Sequence, residues 1–380
     1  MKRMICVAAL VLALCQIALP ASAVELDVAG KSAVLMDVAT GTILYESNSH
    51  ERLAPASVTK VMTMLLIMEA VDSGKIALTD MVTASEAAAA KGGSQIYLKA
   101  GETMSVSDML KSIAVSSAND CACAMAEHIA GSESAFVAMM NQRAQELGMN
   151  DTSFVNCTGL DDGPDAGEHL TTAYDIALMS RELLKHERIK EYTTIWMDTV
   201  RNGQFGLANT NKLVRFYDGT TGLKTGYTSA AGYCLSASAE RNGMELIAVV
   251  LHCDTSPHRF ESAKAMLNYG FSNYALAHPL ADVEIPAVPV VLGRAETVTP
   301  EAHETQPVLI DKALASQVES SVEVAESVMA PVEKGQQLGT ITMRANGRTL
   351  AEIPLVAPEA VEALTWWDIF RQLLGKACMG

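Results

Sequence analysis

Ser57-Val58-Thr59-Lys60 stands between a turn-forming Leu53-Ala54-Pro55-Ala56 and an apolar run, Val61-Met62-Thr63-Met64-Leu65-Leu66-Ile67-Met68. A serine at such a junction lies at a helix N-terminus, where free backbone N–H groups and the helix dipole favour negative charge. Lys60 follows three residues later, one turn along the same face, so its amine can approach the Ser57 hydroxyl. A hydroxyl becomes a useful nucleophile when a neighbour takes its proton, and a desolvated amine can do that. A capped amphipathic helix with a surface lysine would carry the same letters, and S-x-x-K arises by chance about once in a chain this long. Its meaning depends on the rest of the chain.

Upstream, Ser32 to Asp37 alternates apolar and polar, Ala39-Thr40-Gly41 turns, and Thr42 to Glu46 alternates again, which predicts a β-hairpin feeding the Ser57 helix. Downstream, helical periodicity runs near 84–90, 105–116, 119–130, 132–147 and 171–186. Start signals stand at Ser105, Ser132 and Thr171-Thr172, and Gly148 closes one helix. Asn156 to His169 reads as an acidic loop too polar for the core, with Asp161, Asp162 and Asp165 facing solvent. After Thr210 the period shortens: Gly222–Tyr227, Gly232–Glu240 and Met244–Cys253 read as strands, the last two joined at Asn242-Gly243. A helix follows over Pro257–Phe271. Strands at both ends with helices between predict an α+β unit, one antiparallel sheet with a helical subdomain inserted.

A second, all-β unit is expected from His278, where prolines punctuate short Val/Ile-rich runs and Gln337 to Leu355 holds two strands about Asn346-Gly347. From Glu359 a helix is expected, with Leu364, Trp367, Phe370 and Leu374 on one stripe and Trp366 and Leu373 beside it. That pattern suits lying in a membrane interface. The expected domains are thus 1–23, 24–277, 278–357 and 358–380.

Residues 1–23 read as a signal peptide: Lys2-Arg3, an apolar run from Met4 to Leu19, and Ala21-Ser22-Ala23 as the cleavage site. The bulky Leu14 before Cys15 argues against a lipoprotein site. An exported product is expected. With 28 basic against 44 acidic residues and a net charge of −16, no basic stripe offers itself to nucleic acid. The eight histidines are scattered without a ligand pair, which argues against a zinc peptidase, and no metal or cofactor is expected. Of eight cysteines, Cys121 and Cys123 point to different sides of a helix. Cys234 would pair with Leu251 across the Asn242-Gly243 turn, leaving Cys253 diagonal, so buried free thiols are expected.

Two further elements follow the S-x-x-K in order: Ser117-Ala118-Asn119 between two helices, and Lys224-Thr225-Gly226 on a strand. S-x-x-K, S-D-N and K-T-G mark class A β-lactamases and penicillin-binding proteins. The chain resembles the low-molecular-mass penicillin-binding proteins, the serine-type D-alanyl-D-alanine carboxypeptidases, over essentially its whole mature length. The resemblance includes Thr40-Gly41 and Arg-x-x-Pro-Ala-Ser within 40–57, Ser-Ala-Asn-Asp at 117–120, Asn209-Thr210-Asn211-Lys212-Leu213, the β domain and the amphipathic tail. Alanine at 118, where β-lactamases usually show aspartate, fits the carboxypeptidase branch.

The resemblance implies a β-lactamase/transpeptidase-like domain followed by a small β-sandwich and an anchoring helix. Ser57 would attack the bond between two terminal D-alanines of a peptidoglycan stem peptide, with Lys60 taking its proton; burial and the second cation, Lys224, would depress the Lys60 pKa. Ser117 would pass a proton to the leaving amine, and Asn119 would hold the substrate amide or Lys60. Lys224 and Thr225 would bind the terminal carboxylate. Gly226 belongs to a strand edge along which substrate adds, and the oxyanion hole would be the backbone N–H groups of Ser57 and Tyr227. β-Lactams would acylate the same serine, and the enzyme would act at the outer face of the cytoplasmic membrane. Related readings are a D,D-endopeptidase, a β-lactamase with Glu168 as deacylating base, or a non-catalytic wall-binding or β-lactam-sensing module.

Overall fold

The computed structural model describes residues 26–161, 166–280, 283–302 and 306–379. The expected signal segment and its cleavage point after Ala23 lie outside the described residues, as do Asp162 and Asp165 of the acidic loop.

The predicted strands form one five-stranded antiparallel sheet in the order Ile43–Ser47, Ser32–Asp37, Met244–Cys253, Gly232–Arg241, Thr220–Thr228. Ser32–Asp37 is buried along its whole length, so its apolar-polar alternation does not mark a solvated face. Val34 and Met36 pack into one apolar layer with the helices Lys60–Asp72, Asn119–Ala130 and Ala173–Leu184. Ala33 and Leu35 pack into the other with Phe260, Met266 and Leu267 of the helix Ser256–Asn273. A central strand between two helical layers needs small or apolar groups on both sides.

The inserted helices begin where the sequence signals placed them. Ser105, Ser132 and Thr172 accept hydrogen bonds from the N–H groups of Asp108, Ala135 and Asp175. The helix Lys60–Asp72 is not the amphipathic surface helix its letters also allow: Lys60 through Met68 are all buried. Apolar residues on every face are the mark of a helix inside a core.

Asn242 and Gly243 take φ values of 53° and 76°, the two positive angles of a type I′ hairpin turn. Beyond it the expected Cys234–Leu251 pairing is interrupted by a bulge, with Tyr233 opposite Cys253 and Leu235 opposite Val250. Cys121, Cys123, Cys157, Cys234 and Cys253 are all buried free thiols.

Strand pairing runs across the expected boundary at 277/278: Tyr274–Ala277 is antiparallel to Val308–Asp311. Beyond it lie a sheet ordered Glu301–Ala302, Arg348–Val356, Gln337–Ala345, Val318–Val324 and a smaller one built on Val288–Val291. The terminal helix starts later than the periodicity suggested. Residues 358–365 are not helical: Val361 pairs with Val332 and is buried beside Val288 and Leu338, and Leu364 donates its N–H to the Leu292 carbonyl. The helix is Trp366–Met379, begun by a capping box in which Thr365 N–H donates to Asp368 Oδ2 (2.9 Å) and Asp368 N–H to Thr365 Oγ1 (3.3 Å). Leu364 therefore leaves the predicted stripe, while Trp366, Trp367, Phe370, Leu373 and Leu374 are exposed. No helix among the described residues is long and apolar enough to cross a membrane.

Candidate active site

Pro55 leads into a single 3-10 turn, Ala56–Thr59, which runs into the buried helix at Lys60. Ala56 has φ 48°, a left-handed conformation that an L-residue adopts only when its surroundings enforce it. The turn leaves Ser57 half-buried while Lys60 points into the core. Lys60 Nζ lies 2.9 Å from Ser57 Oγ and donates to the Thr158 carbonyl oxygen at 2.7 Å. Burial lowers the Lys60 pKa from 10.5 to about 7, against the opposing pull of Cys157 and Asp120. Desolvation, one of the two expected causes, does the lowering, and the repulsion between Lys60 and Lys224 is felt at Lys224.

The acceptor Thr158 sits on the loop that the sequence placed outside the core. The first half of that loop is inside: Cys157 and Thr158 are buried, and Thr63 Oγ1 donates to the Cys157 carbonyl at 2.7 Å. Asn156 Oδ1 accepts from the N–H groups of Thr158 (3.0 Å) and Gly159 (2.7 Å), so the polar groups of the turn pay no penalty for burial. A Cβ on Gly159 would overlap the Ala56 carbonyl oxygen, which makes the glycine the reason this loop can lie against the Ser57 turn. Asp161 and Glu168 are exposed, as a solvated loop requires, but His169 is buried. The hydrophilic count of the loop concealed that division; Gly159 was the available signal of a close approach.

Ser117 ends the helix Val106–Ser116 in a left-handed conformation (φ 61°), and Asn119 begins the next helix two residues later. Asn119 Nδ2 donates to the Gly92 carbonyl and its N–H to the Ser94 carbonyl, both at 2.7 Å. Ser117 Oγ and Asn119 Oδ1 are buried polar atoms without a hydrogen-bond partner among the described residues. Such groups are costly, and a site that receives a polar substrate is where the cost is recovered. Asp120, quoted in the 117–120 motif without a role, accepts N–H bonds from Ile96, Leu98 and Cys121 and so fastens the 94–98 loop beside Asn119.

Lys224 lies on the edge strand Thr220–Thr228, fully buried, with Nζ donating to the Thr225 carbonyl at 3.0 Å. Burial first, then the charges of Lys60 and Arg259, push its pKa well below the ordinary lysine value. Gly226 presses on the nucleophile turn: a Cβ there would come within 2.6 Å of the Pro55 carbonyl and 3.1 Å of the Ser57 nitrogen. Arg259 donates to the Gly226 carbonyl at 2.9 Å, holding the strand from behind. Tyr227 is exposed and stacks on Tyr233, ring centroids 4.3 Å apart. Thr210 ties two motifs together, its N–H donating to the Val115 carbonyl (3.2 Å) next to Ser117 and its hydroxyl accepting from Thr225 Oγ1 (2.7 Å). Asn209 and Asn211 act as staples, donating to the Ile195 and Gly222 carbonyls at 2.7 and 3.0 Å.

The structure thus bonds Ser57 to Lys60, packs Gly226 on the serine turn, couples Lys224 electrically to Lys60, and links the Ser117 turn to Thr225 through Thr210. Two buried amines of depressed pKa and a hydroxyl at one turn suit acyl transfer with recognition of an anion.

Known proteins resemble the chain in sequence and fold. The sequence model of the D-alanyl-D-alanine carboxypeptidase family matches residues 19–255, and that of the C-terminal domain of penicillin-binding protein 5 matches residues 281–363. D-alanyl-D-alanine carboxypeptidase DacF of Bacillus subtilis (strain 168) is 44% identical over 357 residues, 92% of this chain and 90% of that protein. Penicillin-binding protein 5 from Haemophilus influenzae superposes with a TM-score of 0.74 at 32% identity, covering 89% of this chain and 99% of that one. Penicillin-binding protein D2 from Listeria monocytogenes, in its ampicillin-bound form, gives 0.59 at 32% identity over 65% of this chain and 99% of that one. By family match, sequence identity, fold and second unit alike, the chain belongs to the serine D-alanyl-D-alanine carboxypeptidase family, peptidase S11.

Proposed function

We propose that this chain removes the terminal D-alanine from peptidoglycan stem peptides through an acyl-enzyme on Ser57. The observation that carries the reading is the buried Lys60 amine 2.9 Å from Ser57 Oγ, with a pKa near 7. At neutral pH a large fraction of such an amine is free to accept the serine proton as Oγ attacks the carbonyl carbon. The developing oxyanion is received by the N–H groups of Ser57 and Tyr227. As the C–N bond breaks, the amine of the leaving D-alanine takes a proton relayed through Ser117. Asn119 holds the substrate amide, and Lys224 with Thr225 holds the terminal carboxylate, an anion whose charge favours the protonated form of the buried Lys224 amine. Water then attacks the ester with Lys60 again as base, and Ser57 is restored.

The test is incubation with diacetyl-Lys-D-Ala-D-Ala and with a fluorescent penicillin. D-Alanine release and stable labelling, both lost in Ser57→Ala, support the reading. Labelling without release turns it toward an endopeptidase or a sensor, and rapid penicillin turnover toward a β-lactamase.

The same reading divides the chain into an exported catalytic unit from 24, with residues 1–23 removed, a β-rich unit from 278, and a tail that lies on the membrane surface. Support for the tail is the exposure of Trp366, Trp367, Phe370, Leu373 and Leu374 on one short helix. Val361 and Ala363 bridge to Val332 and Gly293 of the β-rich unit, so the informative deletion is 366–380. It should abolish co-sedimentation with anionic phospholipid vesicles; unchanged sedimentation would refute the anchoring role.

A further inference from the structure

His169 is buried, with its edge against the Phe154 ring, and its two nitrogens make different bonds. Nδ1 accepts the N–H of Val155 at 3.1 Å, and a backbone N–H can only donate. The proton of the neutral ring is therefore on Nε2, which lies 2.7 Å from Thr59 Oγ1 and donates to it. Thr59, its oxygen lone pair engaged, donates onward to the Ala56 carbonyl at 2.8 Å. The chain of bonds has one direction and ends on the left-handed residue that precedes the nucleophile.

We infer that His169 is a positioning residue: through Thr59 it holds the Ala56 turn in the conformation that presents Ser57 to substrate. The role rests on the acyl-enzyme reading of Ser57. Several observations converge on it. Ala56 takes φ 48°, which needs external support. Its carbonyl accepts from Thr59 and is closely abutted by Gly159, whose loop also carries Thr158, the acceptor of Lys60. Both ends of that loop, Val155 and His169, are closed on each other by the Nδ1 bond. Burial, reinforced by the Lys60 charge, lowers the His169 pKa to about 4, so the ring stays neutral and the proton direction is kept throughout the neutral range.

The test uses the full chain and a fluorescent penicillin, with stopped-flow separating the initial binding constant from the acylation rate constant. His169→Ala should lower the acylation rate about tenfold or more, the scale of a misplaced reacting group, with binding unchanged. His169→Gln keeps a donor where Nε2 stands and should restore most of the rate. His169→Asn keeps only the Nδ1-like acceptor and should not. Thr59→Val should slow acylation as His169→Ala does, and the double variant should be no slower than either. Should His169→Ala fail to fold, the Gln and Asn variants decide alone. Equal slowing in Gln and Ala, recovery in Asn, additive losses with Thr59→Val, or a change confined to binding each overturns the role. A wild-type chain that neither reacts with penicillin nor releases D-alanine overturns the acyl-enzyme reading itself. A wild-type chain that reacts no faster than His169→Ala overturns only the positioning role.

Discussion

Lys60→Met should stabilise the protein while abolishing acylation, and the stabilisation should fade as the pH rises. The fall of the Lys60 pKa from 10.5 to about 7 through burial corresponds to about 5 kcal/mol of unfavourable charge burial in the folded state. Methionine fills a similar volume without that cost. Against the gain, the Thr158 carbonyl loses its donor, which costs about 1–3 kcal/mol. The net expectation near pH 6 is a variant more stable by about 2–4 kcal/mol. Because Lys60 also depresses Lys224, its removal relieves that residue in the same direction. Between about 7 and 10.5 the unfolded chain holds a proton that folded Lys60 has released, so wild-type stability rises with pH relative to the variant. The gap should therefore close by up to about 1.4 kcal/mol per pH unit in that window. Urea unfolding of both proteins at pH 6, 8 and 9.5 reads the difference directly and cancels the shared groups other than Lys224, whose relief adds in the same direction. A difference that stays constant with pH would refute the burial argument, as would a methionine variant less stable at pH 6 than the wild type.

Gly159→Ala should cost about 2–4 kcal/mol in urea unfolding and depress penicillin labelling, since φ is +83° there and a Cβ meets the Ala56 carbonyl; full labelling at wild-type stability would show the loop stands elsewhere. Asp120→Ala strips acceptors from three buried N–H groups and should speed amide hydrogen exchange at Ile96 and Leu98 while lowering stability by about 2–4 kcal/mol; unchanged exchange at both amides would contradict it. A carboxylate held by Lys224 raises the depressed pKa of that amine, so binding of diacetyl-Lys-D-Ala-D-Ala to Ser57→Ala should draw in protons. Calorimetry in buffers of different ionisation heat measures the uptake, and identical heats in all buffers would place the carboxylate away from Lys224.

What the sequence shows plainly is what repeats along it or is local to a turn. The strands near 222–227, 232–240 and 244–253 follow from their period and from Asn242-Gly243, and the caps at Ser105, Ser132 and Thr172 from one residue each. The motif residues Ser57, Lys60, Ser117, Asn119, Lys224 and Thr225 were recognisable by their order. Features that depend on a distant partner were not. The bulge opposite Cys253 has no mark in either strand alone. Residues 358–365 carry helical periodicity, yet burying Val361 and pairing it with Val332 outweighs local preference. The loop from Asn156 looked solvated because charge is countable and burial is not; its inner half is held by an asparagine side chain and a glycine whose partners lie about a hundred residues earlier. His169 had no local signature at all, since its meaning comes from Thr59 and Val155.

The sheet order has a consequence for how the molecule comes into being. Ser32–Asp37, the first strand among the described residues, pairs along its full length with Met244–Cys253, Ser32 facing Leu251. A nascent chain can make the first hairpin but cannot cover its other edge until more than two hundred residues have followed. Until then the nucleophile helix has no sheet to lie on and Lys60 no interior to be buried in. The setting of the reactive pair therefore depends on this long-range pairing, and a chain cut short of Cys253 carries every letter of S-x-x-K, S-A-N and K-T-G without the low-dielectric setting that makes them a catalyst.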